Sequence, residues 1–357
     1  MSASALASSL TELCYFFANT RWRGESYVLA TIVRTEGSTY RKAGARILIA
    51  QSGIASGLLS GGCLEADLRE RAGRVLATGR PELAIFDSRT EEDTLWGTGL
   101  GCEGATHIWL QPVTAATDFA PLPYLARCFR EPCAGSVATV IGGEALPGEL
   151  GLQGCSGVVY GDPLVALLSE CRSSGAELQT LRYRGRALQV FVGPVVVPPA
   201  LLLCGAGPDA IPVARIADLQ GWRVTVYDHR PAYAVASSFP ESATVILGRP
   251  EELRLRLQPA KVDAVVIMSH HLASDIEYLR QLATEDPPAY IGLLGPTARR
   301  KRIFDELGSL ATRVVDRVHA PVGLDIGATT PAGIALAVVA EIHATQAGKL
   351  DADISKE

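Results

Sequence analysis

The pattern of hydrophobic and polar positions differs between the two halves of the chain. In the N-terminal half, residues 27–34 (YVLATIVR) and 45–50 (ARILIA) have the apolar, β-branched character of strands. Apolar or small residues then recur at helical spacing, which predicts a helix that begins at about residues 62–64. A second glycine-rich loop, WGTGLGCEG at 96–104, precedes another strand. We therefore expect a smaller N-terminal α+β domain over residues 1–115.

From residue 200 onward, short apolar runs alternate with helical segments. Strands are predicted at 201–204, 223–228, 262–268 and 289–294, and helices at 209–220, 274–283, 299–307 and 331–346. This alternation is typical of a parallel sheet with helices on both faces. We therefore predict an α/β protein whose C-terminal domain, residues 200–357, is of the Rossmann type. Residues 116–199 are interpreted as a middle segment and linker.

Composition and charge narrow the class of protein. The 357 residues, 48% of them hydrophobic, leave room for two domains with cores of their own. A net charge of −5 argues against binding to nucleic acid or to an anionic membrane. The N-terminus lacks a basic signal region, and the eight cysteines form no CxxC pair. We therefore expect a cytoplasmic protein with reduced thiols that contacts neither nucleic acid nor membrane.

A glycine turn opens the predicted Rossmann domain. Gly205 and Gly207 follow a buried strand and precede a helix, and Asp228 ends the next strand. This is the dinucleotide fingerprint in its expected context, where glycines admit a phosphate and the helix N-terminus attracts it. Arg230 leaves the choice between NAD and NADP open. The fold does not determine the ligand, so NAD(P) is possible but not favoured.

Further polar residues are predicted at the carboxyl edge of the same sheet. Ser269, His270 and Asp275 follow one predicted strand, and Gly295 follows the next. They either bind a ligand beside the glycine turn or serve as ordinary loop residues and helix caps. The four cations at 299–302 open a helix, where they oppose its dipole. They are either a solvated face or the partners of a bound anion.

Two glycine–cysteine loops are the candidate chemistry of the N-terminal half. The first contains Ser60, Gly61, Gly62 and Cys63, with Glu65 beyond them, and the second contains Gly101 and Cys102. A cysteine at a helix N-terminus is expected to have thiolate character, which suits it to bind a soft metal or to accept sulfur. The alternative is that Cys63 is a small packed residue. A site shared by both cysteines is compatible with the sequence.

Taken together, these motifs resemble the XdhC/CoxI family, the accessory proteins of xanthine dehydrogenase and related molybdenum hydroxylases. The matching segments include GLLSGGCLEADL, DTLWGTGLGCEG, LLLCGAGPDA, YIGLLGPTARRKRIFDEL and HAPVGLDIGATTPAGIALAVVAEI, in the family's order. The resemblance implies a chaperone rather than an enzyme, and this chaperone binds the molybdenum cofactor. The cofactor is a molybdopterin that carries a metal dithiolene and a phosphate. The sequence departs from the family pattern at Pro208, where a histidine is usual, and at 295–297 and 332–333.

The resemblance also implies partners and residue roles. The partners are an apo molybdenum hydroxylase client and a cysteine desulfurase that sulfurates the cofactor, and a homodimer is expected. Cys63 is the first candidate to contact the molybdenum or its terminal sulfur, and Cys102 the second. The residues expected to bind the cofactor are Ser60, Gly61, Gly62, Glu65, Gly101, Gly205, Gly207, Asp228, Arg230, Ser269, His270, Asp275, Gly295 and Asp325.

Two other functions stay open at this point. One is an NAD(P)-dependent oxidoreductase, for which His270 is the candidate catalytic acid or base. The other is a sulfur-transfer enzyme that uses Cys63 as its nucleophile.

Overall fold

The chain divides into two compact units, Met1–Val197 and Pro198–Glu357, in the computed structural model. The residues that the structure describes are 3–62, 64–89, 104–130, 135–143, 153–155, 158–160, 176–183, 185–257 and 262–349. Among the candidate site residues, Cys63, Gly101 and Cys102 lie outside these ranges. No helix in the described part of the chain is long and apolar enough to cross a membrane.

The first unit is built on two antiparallel sheets. The first sheet has the order β3-β2-β1-β5-β4. Its strands are β1 (Tyr27–Gly37), β2 (Arg46–Ala50), β3 (Ala55–Gly57), β4 (Glu82–Asp87) and β5 (Gly104–Val113). Residues 27–33 of β1 are buried without alternation, because helices cover both faces of this central strand.

Successive residues of β1 therefore enter two different cores. Tyr27 and Leu29 pack with helix α1 (Ala3–Thr20), whereas Val28 and Ala30 pack with helix α2 (Glu65–Thr78). Side chains alternate between the faces of a strand, so a continuous apolar run supplies both layers. The predicted helix after the first glycine–cysteine loop is confirmed as α2, and Gly79 ends it in the left-handed conformation with φ +66°.

The second sheet extends the first unit through Val197. It has the order β8-β7-β6-β10-β9. Its strands are β6 (Gly135–Gly143), β7 (Gln153–Cys155), β8 (Val158–Tyr160), β9 (Glu177–Tyr183) and β10 (Arg186–Val195), and helix α3 (Leu122–Arg130) precedes them. Phe191 of β10 shares a hydrophobic cluster with Val33 and Trp109 of the first sheet. The second sheet thus packs against the first through this cluster.

The second unit contains a six-stranded parallel sheet in the order β13-β12-β11-β14-β15-β16. The strands are β11 (Ala200–Cys204), β12 (Arg223–Asp228), β13 (Thr244–Leu247), β14 (Ala264–Ile267), β15 (Tyr290–Leu293) and β16 (Val318–His319). The helices are α4 (Ala210–Leu219), α5 (Leu253–Arg256), α6 (Leu272–Leu282), α7 (Thr297–Leu307) and α8 (Pro331–Gln346). This strand order is that of the Rossmann fold, which confirms the predicted α/β class.

Both faces of the parallel sheet are covered. Leu201 and Leu203 pack with α4 and α8, whereas Leu202 and Cys204 pack with α6 and α7. The strand order reverses between β11 and β14, and loops from these neighbouring strands meet at the carboxyl edge. The predicted carboxyl-edge residues therefore lie on loops around this point.

A glycine is required at position 205, where the loop after β14 crosses the end of β11. Its φ is +130°, and a Cβ there would lie 2.5 Å from the Met268 carbonyl oxygen and 2.8 Å from the Ser269 nitrogen. The backbone after β14 thus passes directly over the end of β11, which only a residue without a side chain allows.

Gly205→Ala is expected to lower the free energy of unfolding of the second unit by about 2–4 kcal/mol, because a strained φ and a backbone clash act together. Urea unfolding followed by circular dichroism measures the loss. Gly308→Ala is the matched control, since Gly308 also has positive φ but open space around the Cβ position. Equal losses in the two variants would show that close approach contributes nothing at Gly205.

Candidate functional site

One end of the first sheet carries the described residues that flank the second glycine–cysteine loop. Gly37 at the end of β1 lies opposite Gly104 at the start of β5. Ser88, which follows β4, closes the base of this loop, because its hydroxyl donates to the Gly104 carbonyl oxygen at 2.8 Å. β3, which precedes the first glycine–cysteine loop, runs in the same direction as β1 and ends level with Ala30.

Ser60 organises the first loop. Its hydroxyl donates to Glu65 Oε2 at 2.6 Å, and its backbone N–H donates to Glu65 Oε1 at 3.1 Å. The same hydroxyl oxygen accepts the backbone N–H groups of Gly62 and Leu64, both at 3.1 Å. Ser60 is buried, so this closed ring of hydrogen bonds holds the backbone on both sides of Cys63.

The carboxylate of Glu65 is ionised within this ring. Burial raises the pKa of Glu65, but the hydrogen bonds from Ser60 and from the backbone at residues 60, 64 and 65 outweigh burial and lower it below the usual value. The first turn of α2 is thus already compensated by Glu65 and by Asp67.

The two glycines before Cys63 leave the backbone open. Gly62 has φ +112°, and a Cβ built on Gly61 or Gly62 would meet no atom of the described residues within 4 Å. Both residues are exposed. A bound ligand can therefore approach the peptide groups closely, which side chains would prevent.

Charged side chains surround the same end of the sheet. Arg89 pairs with Asp87 at 2.7 Å and with Glu36 at 3.1 Å, and Arg34 pairs with Glu36 at 3.0 Å. The hydrogen bonds from Arg89 lower the pKa of Asp87 to about 2. His107 Nε2 lies 3.6 Å from Glu36. The cations nearest the base of the second loop are thus held by carboxylates of the chain itself.

Asp228 ends β12 in the second unit and is completely buried. Its Oδ2 accepts the backbone N–H of Ala206 at 2.7 Å and a guanidinium N–H of Arg230 at 2.7 Å. Its Oδ1 accepts the backbone N–H and Nε–H of Arg230. Burial raises the pKa of Asp228, but these hydrogen bonds outweigh it and lower the pKa. The acid that binds ribose in dinucleotide enzymes is thus occupied by the chain.

A second internal pair covers the glycine turn. His270 Nε2 lies 2.7 Å from Asp209 Oδ2, and His270 adopts the left-handed conformation with φ +60°. The other Asp209 oxygen lies 2.9 Å from the position that a Cβ on Gly207 would take. A carboxylate therefore stands where a phosphate approaches the turn in dinucleotide complexes. Sequence reasoning missed Asp209, whose only signal was its place in the segment GAGPDA.

Ser269 and Asp275 are buried and make internal contacts. The Ser269 hydroxyl donates to Asp275, and Arg299 donates to Asp275 Oδ2 from two nitrogens, at 2.6 and 3.0 Å. A Cβ on Gly295 would lie 2.6 Å from Arg299 Cδ, so the glycine makes room for the returning guanidinium. Asp275 thus offsets the charge of Arg299 at the start of α7. From the sequence, a bound anion was one candidate for this role.

The last predicted residue, Asp325, is exposed on the loop after β16. This loop returns to the carboxyl end of β15, where the N–H of Val322 donates to the Leu293 carbonyl oxygen at 3.2 Å. The start of that loop is tied to α8, because Glu341 accepts the N–H of Gly323 at 2.7 Å and the hydroxyl of Tyr290. Sequence reasoning also missed Glu341, whose only signal was an acid within an apolar helix.

The thiols and acids in the described ranges form no metal site: no group of three or more His, Cys, Asp and Glu there can hold an ion. Cys14, Cys128 and Cys204 are buried. Burial raises the pKa of the Cys204 thiol well above its usual value, and the nearby Asp275 and Asp228 raise it further. Cys204 is therefore a packed residue, and the roles expected for Cys63 and Cys102 stay predictions.

A Rossmann-type unit and a separate β-rich unit with a glycine-lined loop define the class of this protein. Residues 21–87 match the XdhC and CoxI family, and residues 201–342 match the XdhC Rossmann domain. The chain belongs to the XdhC/CoxI family.

Individual relatives resemble the chain over nearly its full length. A probable xanthine dehydrogenase subunit of Bacillus subtilis is 34% identical over 90% of this chain and 94% of its own. The molybdenum cofactor insertion chaperone PaoD of Escherichia coli is 25% identical over 89% of this chain and 83% of its own. A crystal structure described as a xanthine dehydrogenase from Bacillus halodurans has a TM-score of 0.75 and 28% identity, and the match covers 96% of this chain and 97% of that one.

Glu65→Gln is expected to lower the free energy of unfolding by about 1–2 kcal/mol near neutral pH, because charged hydrogen bonds to Ser60 are lost. The folded-state pKa of Glu65 is lowered, so its stabilisation is present above the unfolded pKa and disappears as the pH falls through the folded pKa. Urea unfolding across an acidic-to-neutral pH series measures the difference. Glu70→Gln, on the exposed face of the same helix, is the control. A pH-independent difference for Glu65→Gln would contradict an ionised carboxylate.

Proposed function

We propose that this chain is a maturation factor that binds the molybdenum cofactor and inserts it into a molybdenum hydroxylase of the xanthine dehydrogenase class. The observation that carries the proposal is the similarity to PaoD, whose name describes cofactor insertion, across both units of the chain. The similarity to a xanthine dehydrogenase subunit of Bacillus subtilis supports the class of client. The function needs no catalytic residues, only a site that binds and releases a cargo.

The first unit supplies the features that such a cargo requires. The open backbone at Gly61 and Gly62 admits the cofactor closely, and the ring of hydrogen bonds between Ser60 and Glu65 holds that backbone in place. Cys63 stands next in the sequence, and a thiolate is the side chain that best suits a soft metal or a terminal sulfur. In this proposal Cys63 contacts the molybdenum centre, and Cys102 and Gly101 contribute from the second loop.

The proposal extends to the sulfurated form of the cofactor. A cysteine desulfurase supplies the sulfur, and the protein holds the product away from water until the client takes it, acting as a homodimer in the cytoplasm. Gly205, Gly207, His270, Gly295 and Asp325 of the second unit stay predicted binding residues. Ser269, Asp228, Arg230 and Asp275 support those loops from within, as their internal hydrogen bonds favour.

The geometry of the glycine turn disfavours the oxidoreductase alternative. A dinucleotide needs the acid at the end of the second strand for its ribose and the turn for its phosphates. Asp228 is bonded to Arg230 and Ala206, and Asp209 stands over Gly207 with His270 as its partner. Binding of NAD(P) would require these internal contacts to break.

Production of the protein together with the cofactor is expected to yield molybdenum and pterin that remain bound after gel filtration. Cys63→Ser removes the soft ligand at nearly constant size, so the molybdenum retained per chain is expected to fall several-fold while the fold persists. Elemental analysis and pterin fluorescence after oxidation measure the retention.

Cys14→Ala and Cys128→Ala are the controls, because these thiols are buried in the core of the same unit. They are expected to retain wild-type amounts of molybdenum. Retention by Cys63→Ser equal to wild type would remove Cys63 from the site. Absence of molybdenum and pterin from the wild type would refute the proposed function.

Titration with NADH is expected to give no saturable change in nicotinamide fluorescence, because Asp228 is bonded to Arg230 and Ala206 and Asp209 is paired with His270. A dehydrogenase of known activity, measured in parallel, controls for the assay. Saturable binding that His270→Ala alters would favour the oxidoreductase instead.

A further inference from the structure

The loop of residues 38–44, which connects β1 to β2, lies against the base of the second glycine–cysteine loop. At its start, Ser38 contacts the base of the second loop so closely that a Cβ on Gly104 would collide with the Ser38 carbonyl oxygen. At its end, Ala43 packs against the same hydrophobic cluster as Leu64, which follows Cys63. The loop therefore belongs to the same end of the first sheet as the candidate site.

Hydrogen bonds hold this loop in one conformation. The N–H of Gly44 donates to the Ile32 carbonyl oxygen at 2.8 Å, and the N–H of Ile32 donates to the Ala45 carbonyl oxygen at 2.9 Å. Within the loop, the Thr39 hydroxyl donates to the Arg41 carbonyl oxygen at 2.9 Å. The side chains between Thr39 and Gly44 are thus presented by a well-anchored backbone.

Tyr40 is the exposed aromatic residue of this loop. Its side chain is 59% exposed, and among the described residues its hydroxyl has no hydrogen-bond partner and its ring contacts no other ring or guanidinium. Trp22, at the opposite end of the sheet, is 74% exposed, but its Nε1–H donates to the Asn19 carbonyl oxygen and Arg23 lies over its ring at 5.2 Å. The interactions of the Trp22 ring are provided within the chain, whereas the face of Tyr40 is open to a ligand.

A positive charge accompanies the ring. Lys42 is exposed two residues beyond Tyr40, and its ammonium donates to the Thr39 hydroxyl at 3.3 Å. That hydrogen bond holds the ammonium on the same short loop as the aromatic ring. An exposed aromatic face and an ammonium on one short loop suit a planar heteroaromatic ligand that carries a phosphate.

We propose that Tyr40 and Lys42 bind the pterin part of the cargo, with the pterin ring stacked on Tyr40 and its phosphate facing Lys42. The inference rests on the proposed function and adds to it a recognition element that contains no cysteine. In this proposal different loops bind different parts of the cofactor. The glycine–cysteine loops contact the metal, and the 38–44 loop contacts the organic part.

The test is an anaerobic titration of the full chain with molybdenum cofactor released from a purified molybdenum hydroxylase, with bound pterin measured after gel filtration. Tyr40→Ala is expected to raise the apparent Kd about 5- to 150-fold, the change that corresponds to loss of one stacked ring. Tyr40→Phe keeps the ring and is expected to bind within about twofold of wild type. Trp22→Ala is the matched control and is expected to bind as wild type does.

A second arm separates the ring from the phosphate. Lys42→Gln is expected to weaken binding of the phosphorylated cargo and to reduce its dependence on salt, whereas Arg23→Gln is expected to change neither. With a pterin that lacks the phosphate as probe, Lys42→Gln is expected to have no effect and Tyr40→Ala to weaken binding still.

The outcomes separate the inference from the function on which it rests. Wild-type protein that binds no cofactor refutes the proposed function. Wild-type protein that binds, together with a folded Tyr40→Ala that binds equally well, overturns the inference and leaves the function standing. Melting curves show whether each variant is folded, and Tyr40→Leu, which keeps bulk without an aromatic face, replaces Tyr40→Ala if the latter unfolds.

Discussion

Carboxylates that are buried or half-buried, and that must find donors within the chain, organise the loops of both units. Glu65 gathers the backbone around the first glycine–cysteine loop, Asp228 holds the glycine turn, and Asp275 joins the loop after β14 to α7. Glu341 does the same for the loop after β16. A buried carboxylate without donors is costly, so each of these acids restricts its loop to the conformation that supplies them.

This constraint has opposite consequences in the two units. In the second unit the internal bonds occupy the positions that a dinucleotide would use, since Arg230 satisfies Asp228 and His270 pairs with Asp209. In the first unit the bonds between Ser60 and Glu65 stay behind the loop and leave Gly61 and Gly62 exposed. Asp228 and one oxygen of Asp209 thus already have partners within the second unit, and the exposed glycine backbone of Gly61 and Gly62 lies in the first.

The loops at the Gly37 end of the first sheet carry aromatic and charged side chains, and buried strands support these loops. The buried strands fix the positions at which the loops begin. The register of β1 against β5 places Gly37 opposite Gly104. Loops carry binding residues well when the strands beneath them do not move. A cargo-binding protein needs such an arrangement, because its site must hold the cargo firmly yet remain open enough to release it.

The sequence by itself determined four strands and four helices of the second unit and the class of its fold, but not β13, β16 or α5. β12 and α8 have the bounds that periodicity predicted, because burial of alternate or helically spaced residues is a local pattern that is visible in the sequence. The family motifs, likewise, are short contiguous segments. A site shared by the two glycine–cysteine loops was compatible with the sequence and stays a prediction.

Only the tertiary structure decided which partner each polar group takes. Arg299 looked like a free cation at a helix start, yet it pairs with Asp275, 24 residues away. The sequence of residues 116–199 predicted no packing partner, and Phe191 of the second sheet shares a hydrophobic cluster with Trp109 of the first. The local pattern assigned no role to Tyr40, whose loop the structure places against Gly104 at the base of the second glycine–cysteine loop. Contacts between distant residues depend on how whole elements pack, and a local pattern contains no record of that packing.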